Sequence, residues 1–350
     1  MEHINNDSDK PKRRVRYKGK HPRQFKEKYK EHNFEKYPQD VLKVIASGKT
    51  PAGTHRPICV HEILDILKPA PGQIGMDATL GFGGHALELL KKIIPGGRLF
   101  ALDVDPLELA RTEKRLRAFG YSDKELTIKR SNFAGMFKLL DADVPGFDFI
   151  LADLGISSMQ LDNPARGFTF KREGPLDLRL NPQRGQSAAQ LLKSLDEKQM
   201  EKLFIQNSDE PHAAVIAQAI FNNKDKINKT TELSDIIAYA LEEKSYCDCS
   251  VATTTSIRRI FQALRIKVND EFSALVQFLR KLPMCLKSKG RVAILSFHSG
   301  EDNRVMNAFK QGLKDGLYTD ISHEPIRPNA EEQYANPRSN SALLRWAIRK

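Results

Sequence analysis

Apolar residues in the first half of the chain fall into short blocks separated by amphipathic stretches, a rhythm that predicts alternating strands and helices. Blocks at 74–79, 98–105, 126–130 and 147–154 have the length of buried strands and run into polar or glycine-rich sequence. Between the first two, Leu87, Leu90 and Ile94 recur at helical spacing until Pro95, Gly96 and Gly97 interrupt them, so a helix is expected over 84–93. Pro106 suits the first turn of a helix ending near Gly120, residues 132–140 predict another, and a short helix is expected over 61–67. Strands alternating with helices imply an α/β fold with a mostly parallel sheet and right-handed crossovers.

The rhythm changes after position 155. Residues 155–182 carry loop signals, and segments at 187–194, 196–206, 211–222, 231–243 and 255–282 all read as helices. A strand returns at 291–297, then a helix, then a last strand at 343–348. A helical block between the fourth and fifth strands is most simply an insertion, and it belongs at the carboxyl edge of the sheet, where open α/β folds bind ligands. The expected organisation is a basic N-terminal extension (1–55, helical around 38–47), an α/β domain in two parts (56–182 and 255–350), and an all-helical insertion (183–254).

Composition adds the partner. The 350 residues suffice for two domains, and 40% are hydrophobic, as in globular proteins. No apolar run reaches the roughly 18 residues that span a bilayer, and the polar N-terminus lacks a secretory signal, so no membrane association and a cytoplasmic location are expected. Cys59, Cys247, Cys249 and Cys285 are scattered, and Cys247-Asp-Cys249 lacks the two-residue metal spacing, so reduced thiols and no metal site are expected. The net charge of +12 is unevenly placed: positions 10–30 hold eleven Lys/Arg against one acid, Glu27, with Tyr17, Phe25 and Tyr29 between them. Such a block buries no core and is suited to a nucleic-acid backbone.

Four constellations carry chemistry. In Asp77-Ala-Thr-Leu-Gly-Phe-Gly-Gly-His85 a strand runs into a glycine-rich turn, and Asp103 ends the next strand 22 residues after Gly81. That offset matches an acid reaching a ribose hydroxyl, but Gly81-x-Gly83-Gly84 is not the dinucleotide pattern GxGxxG. A shorter nucleoside ligand such as S-adenosylmethionine (SAM) fits better than a dehydrogenase cofactor. Asp153 closes the fourth strand and leads into Gly155, Ser157, Ser158 and Gln160, a polar pocket rim. Arg166, Phe168 and Phe170 form a loop suited to stacking a base and holding phosphate, with a place in the core as the competing reading of the phenylalanines. His298, in Ser296-Phe-His-Ser-Gly-Glu-Asp302, is expected to be a hydrogen-bonding wall residue on the same edge.

These stretches, with Gly174-Pro-Leu-Asp177, Arg184-Gly-Gln-Ser-Ala-Ala189, Phe261-Gln-Ala-Leu-Arg-Ile266, Val268-Asn-Asp-Glu271 and Pro325-Ile-Arg-Pro328, resemble the ribosomal small-subunit methyltransferase H family (MraW type) from about His55 onward. The resemblance implies a class I SAM-dependent methyltransferase, Rossmann-like with a helical insertion, that methylates N4 of a cytidine in the decoding centre of 16S rRNA within the 30S subunit. It carries cofactor roles onto Gly83, Gly84, His85, Asp103, Phe133, Asp153 and Gln160. Asp153 is also the candidate acceptor for the substrate amine, with Arg166, Phe168, Phe170 and His298 as candidate RNA contacts. The chain departs from the family at Val251-Ala-Thr-Thr-Thr-Ser-Ile-Arg-Arg-Ile260, which lacks the usual proline, and at Gly300, where leucine is usual. A paralogue acting on another RNA site and a non-catalytic RNA-binding assembly factor are the alternatives.

Overall fold

The structure, a computed structural model, describes residues 57–243 and 250–350. The basic extension with its expected helix, and the Cys247-Asp-Cys249 pair, lie outside the described residues.

Helix α1 (Val60–Leu67) precedes β1 (Ile74–Asp77), α2 (Gly84–Ile93), β2 (Arg98–Asp103), α3 (Pro106–Ala118), β3 (Leu126–Arg130) and β4 (Phe147–Asp153). A short α4 (Ser158–Asp162) opens the loop region, followed by α5 (Ala188–Ser194), α6 (Glu197–Ser208), α7 (Ala213–Asn223), α8 (Thr230–Glu243) and α9 (Ser250–Asn269). Then come α10 (Glu271–Cys285), β5 (Leu286–Ser296), α11 (Ser299–Lys314), β6 (Tyr318–Ile321), α12 (Ala330–Ala335) and β7 (Leu343–Arg349).

The seven strands lie in the order β3-β2-β1-β4-β5-β7-β6. The pairs from β3 through β5 are parallel, and β7 runs antiparallel to both its neighbours. Alternate residues of each strand serve opposite faces. On β2, Phe100 and Leu102 pack with β4's Ile150 and Ala152 against Leu275, Phe278 and Leu282 of α10. Leu99 and Ala101 pack with Phe149 and Leu151 against α1 and α2 through Ile63, Leu67, Leu90 and Ile93. A third cluster runs from Phe168 through α5–α8 to Leu264 of α9. The chain leaves β1 for β2 on one side and meets β4 on the other, so the crevice beyond these strand ends is the switch point of the sheet.

Three expectations need correction. Residues 132–140 form not an α-helix but a 3-10 helix, Phe133–Leu139, capped by the Asn132 side chain accepting from Ala134 N–H. The helix expected over 255–282 is two helices, because Asp270 takes a left-handed conformation (φ 51°) between α9 and α10. The four-residue β6 was not predicted: its two central residues are exposed, so it shows no apolar block.

Candidate active site

Asp77, Asp103 and Asp153 are the last residues of β1, β2 and β4, three strands that are adjacent in the sheet. Asp103 and Asp153 line a cleft of about 1260 Å³ whose walls come from both the sheet edge and the helical region, while Asp77, between them in the sheet, is buried. The turn after β1 is tied to these strand ends. Thr79 N–H donates to Asp77 Oδ1 (3.0 Å), and Thr79 Oγ1 accepts from Asp153 N–H (2.6 Å). Gly81 N–H donates to Asp103 Oδ2 (2.7 Å), and Asp105 N–H to Oδ1 of the same carboxylate (2.8 Å).

The glycines of this turn line the cleft and also make room for protein neighbours. Gly83 caps α2 at φ 79°, and a Cβ there would come within 2.8 Å of Thr112 Cγ2; at Gly84 it would come within 2.5 Å of Pro57 Cγ. Their missing side chains admit protein neighbours that draw the turn against α3 and the N-terminal approach. Thr112 Oγ1 also donates to Gly81 O (2.6 Å), and the Arg115 guanidinium lies over the Phe82 ring (3.5 Å) while bonding to its carbonyl.

The three carboxyl groups share an electrostatic condition. Burial pushes Asp77 up to about 6, against the opposing effects of His85 and Thr79 N–H. Burial pushes Asp153 up to about 7, and the Glu301 charge adds to it. Burial also raises Asp103, its backbone donors partly countering this. Among the described residues none of the three pairs with a lysine or arginine. Glu301, on α11, goes the other way: burial favours its protonation, but His298, Arg265 and the Phe297 N–H outweigh that and hold it low.

The candidate residues fall into three groups. Gly83, Gly84, His85, Asp103, Phe133, Asp153 and Gln160 all line the cleft. Phe133 stands edge-on to Phe278 (5.2 Å), giving one wall a fixed apolar surface. Gln160 is committed elsewhere: Oε1 accepts from Ser157 N–H (2.9 Å) in a capping box and Nε2 donates to Asp105 Oδ2 (2.7 Å), so it braces the wall. His298 also lines the cleft, with Nε2 3.3 Å from Glu301 Oε1.

Arg166 does not reach solvent, contrary to its expected RNA contact. It is buried, with Nη1 on Asp105 Oδ2 (2.7 Å) and Nη2 donating to the carbonyls of Arg179 and Leu180 (3.1 and 2.9 Å). Phe168 lines the cleft but is only 4% exposed, with its ring packed in the helical cluster. Phe170 is half-buried, lines the cleft and tilts against Phe261 (5.6 Å). Sequence reasoning missed Asp77, Thr79 and Glu301 as individual contributors, although each lies inside a stretch it had singled out. Their strand-end and helix-start positions were the available signal.

SAM carries a sulfonium and an ammonium against one carboxylate, and a cleft lined by Asp103 and Asp153, neither paired with a lysine or arginine among the described residues, fits such a ligand. The sheet order with reversed β7, together with these two acids and the glycine turn, defines a class I SAM-dependent methyltransferase. The chain belongs to the MraW methylase family, whose match covers residues 52–350. "Ribosomal RNA small subunit methyltransferase H 2" of Alkaliphilus metalliredigens is 51% identical over 349 residues, 99% of this chain and 100% of that protein. "Ribosomal RNA small subunit methyltransferase H 1" of Lachnoclostridium phytofermentans is 50% identical, over 97% of this chain and 93% of that one. The protein of the same name from Agathobacter rectalis is 49% identical, over 97% of each chain.

Proposed function

We propose that this chain methylates N4 of a cytidine in the decoding centre of 16S rRNA, on the 30S subunit, in the cytoplasm. The observation that carries the reading is that Asp103 and Asp153 line the cleft with no lysine or arginine paired to either among the described residues, so a cationic cofactor suits the site. The names of relatives at half identity over nearly the whole chain support rRNA as the substrate. So does a rim bearing Arg130, Lys171, Arg184, Arg258 and Arg338, which suits phosphates. The eleven cations between positions 10 and 30 extend the same polarity. We assign the units as extension 1–55, catalytic domain 56–182 and 255–350, and helical insertion 183–254, with α9 crossing the last boundary and packing through Ile257, Ile260 and Leu264 in the helical cluster.

SAM supplies an already activated methyl group, so the protein's task is alignment and removal of one amine proton. Asp103 accepts from the ribose hydroxyls with the lone pairs its two backbone donors leave free. Phe133 walls the adenine, and the turn at Gly83–His85 flanks the methionine end. Asp153 accepts an N–H of the cytosine amine, which raises the nucleophilicity of a nitrogen whose lone pair is delocalised into the ring. Phe170, the more exposed of the two phenylalanines lining the cleft, is the aromatic surface offered to the flipped base. Transfer of labelled methyl to purified 30S subunits, followed by nucleotide-resolution mapping, tests the reading. Label on another RNA would make the chain a paralogue, and no transfer with intact subunit binding would make it an assembly factor.

Asp103→Ala is expected to weaken SAM binding about 10- to 100-fold, from loss of a charge-assisted contact of about 1.5–3 kcal/mol. RNA affinity should stay nearly unchanged, and calorimetry with gel-shift titration reads both. Affinity for SAM should also depend on pH. A cationic ligand binds the ionised form of Asp153, whose proton is lost near pH 7, so binding strengthens as pH rises through that value. Affinity at pH 6 is expected to be about threefold weaker than at pH 8. S-adenosylhomocysteine, which lacks the sulfonium charge, should show a smaller change; equal slopes would remove Asp153 from the cation's surroundings.

A further inference from the structure

The imidazole of His85 is buried beside the strand-end acids, with Nε2 3.0 Å from the Ile58 carbonyl oxygen and Nδ1 3.6 Å from Asp153 Oδ2. A carbonyl only accepts, so Nε2 carries the hydrogen and the neutral ring presents its lone pair at Nδ1. That lone pair faces a carboxyl oxygen. Two lone pairs at this separation repel unless a proton lies between them, and then they attract. We propose that His85 and Asp153 act as one proton-accepting pair for the methylated amine, with Ile58 fixing the ring nitrogen that takes part. The proposal rests on the methyl-transfer reading above and adds a positioning residue to it.

The surroundings favour a single shared proton. Burial disfavours the charged form of each partner, lowering His85 and raising Asp153. His85 also feels the Ile58 bond, Asp77, Glu332 and Glu88, which favour its protonation, while Asp153 feels Glu301, which favours its own. Both directions favour a neutral ring beside a protonated carboxyl, the state in which a proton can lie between Nδ1 and Oδ2. In the transfer step the methyl carbon bonds to N4 as its bond to sulfur breaks, the sulfur keeping that electron pair. N4 releases one proton to Asp153 Oδ2 and keeps the N–H electron pair. The new carboxyl O–H then points at His85 Nδ1, and the proton passes to water once the product has left.

The test uses the full chain labelled with ¹⁵N-histidine, with ring nitrogens followed by NMR from pH 5.5 to 8.5, alone and with S-adenosylhomocysteine. The expected result is a His85 ring protonated at Nε2 throughout, whose Nδ1 signal shifts with a midpoint near 7 and loses that midpoint in Asp153→Asn. A hydrogen on Nδ1 rather than Nε2 at pH 8, or a titration indifferent to Asp153→Asn, overturns the proposal. The kinetic arm is His85→Gln, which can still donate to Ile58 but offers no ring nitrogen. Its single-turnover rate on 30S subunits should fall about 10- to 100-fold, with the acid limb of the pH profile moved to lower pH. S-adenosylhomocysteine affinity should hold within about threefold, a fraction of the effect expected on rate. Equal losses of affinity and rate with an unmoved limb would reduce His85 to a cofactor contact. The NMR arm needs no methyl acceptor, so failure of the substrate assignment and failure of the pair are separately visible.

Discussion

Arg166→Met is expected to destabilise the folded protein by about 3–5 kcal/mol, more than any surface arginine change would. Asp105 is fully buried at the start of α3, where Oδ1 accepts from the Leu107 and Glu108 N–H groups. Its Oδ2 is held by Gln160 and Arg166, so removing the guanidinium leaves a carboxylate in the interior with only neutral donors. It also strands the carbonyls of Arg179 and Leu180, which fix the loop beside Asn269 of α9; there Leu180 N–H donates to Asn269 Oδ1 (2.7 Å). The double variant Asp105→Asn/Arg166→Met removes the stranded charge and should recover a large part of the loss. Denaturant unfolding of the four proteins in the cycle measures the coupling. Strictly additive losses would mean that the 2.7 Å pair contributes only through packing.

This pair also shows what the sequence could and could not disclose. Arg166-Gly-Phe168 has the composition of an RNA-contacting loop, and nothing local reveals that Asp105, 61 positions earlier, supplies its partner. Burial of an arginine is a tertiary fact. The first four strands were legible because parallel strands covered on both faces must be continuous apolar blocks, as Phe147–Asp153 is. β6 was not, since its burial alternates with exposed Thr319 and Asp320 at the sheet margin. The break at Asp270 was hidden because a single left-handed residue leaves helical periodicity on both sides intact.

The candidate site divides the same way. Asp103 and Asp153 were readable because a strand-end acid after an apolar block has few places to go in a parallel sheet. His85 was readable as a member of the turn, but not the direction of its ring, which depends on the Ile58 carbonyl 27 residues away. The glycines at 83 and 84 were found for an incomplete reason. Their Cβ space is taken by Thr112 and Pro57, so they matter first to how tightly the turn is packed and only through that to a ligand.

Asp153→Asn is expected to cut single-turnover methylation of 30S subunits by about 10²–10⁴-fold at saturating SAM, the range general-base removal gives. Among the described contacts, the carboxylate oxygens meet only His85, so the amide fits the same space without breaking a backbone bond. The variant's SAM affinity should fall only several-fold and lose its dependence on pH, because no titrating carboxyl remains near the cation. Stability supplies an independent check of sign. A carboxyl whose proton affinity is raised by folding weakens the folded state as pH rises from about 4 through 7. The ligand-free variant should therefore be more stable than the parent at pH 8, by on the order of 1–2 kcal/mol once contact with solvent in the cleft is allowed for. At pH 4 the two should converge. If instead SAM affinity collapses while the rate at saturation is preserved, Asp153 holds the cofactor's ammonium and the amine's proton leaves by another route. Normal affinity with normal rate would exclude both roles and return the raised proton affinity of this strand end to a by-product of burial.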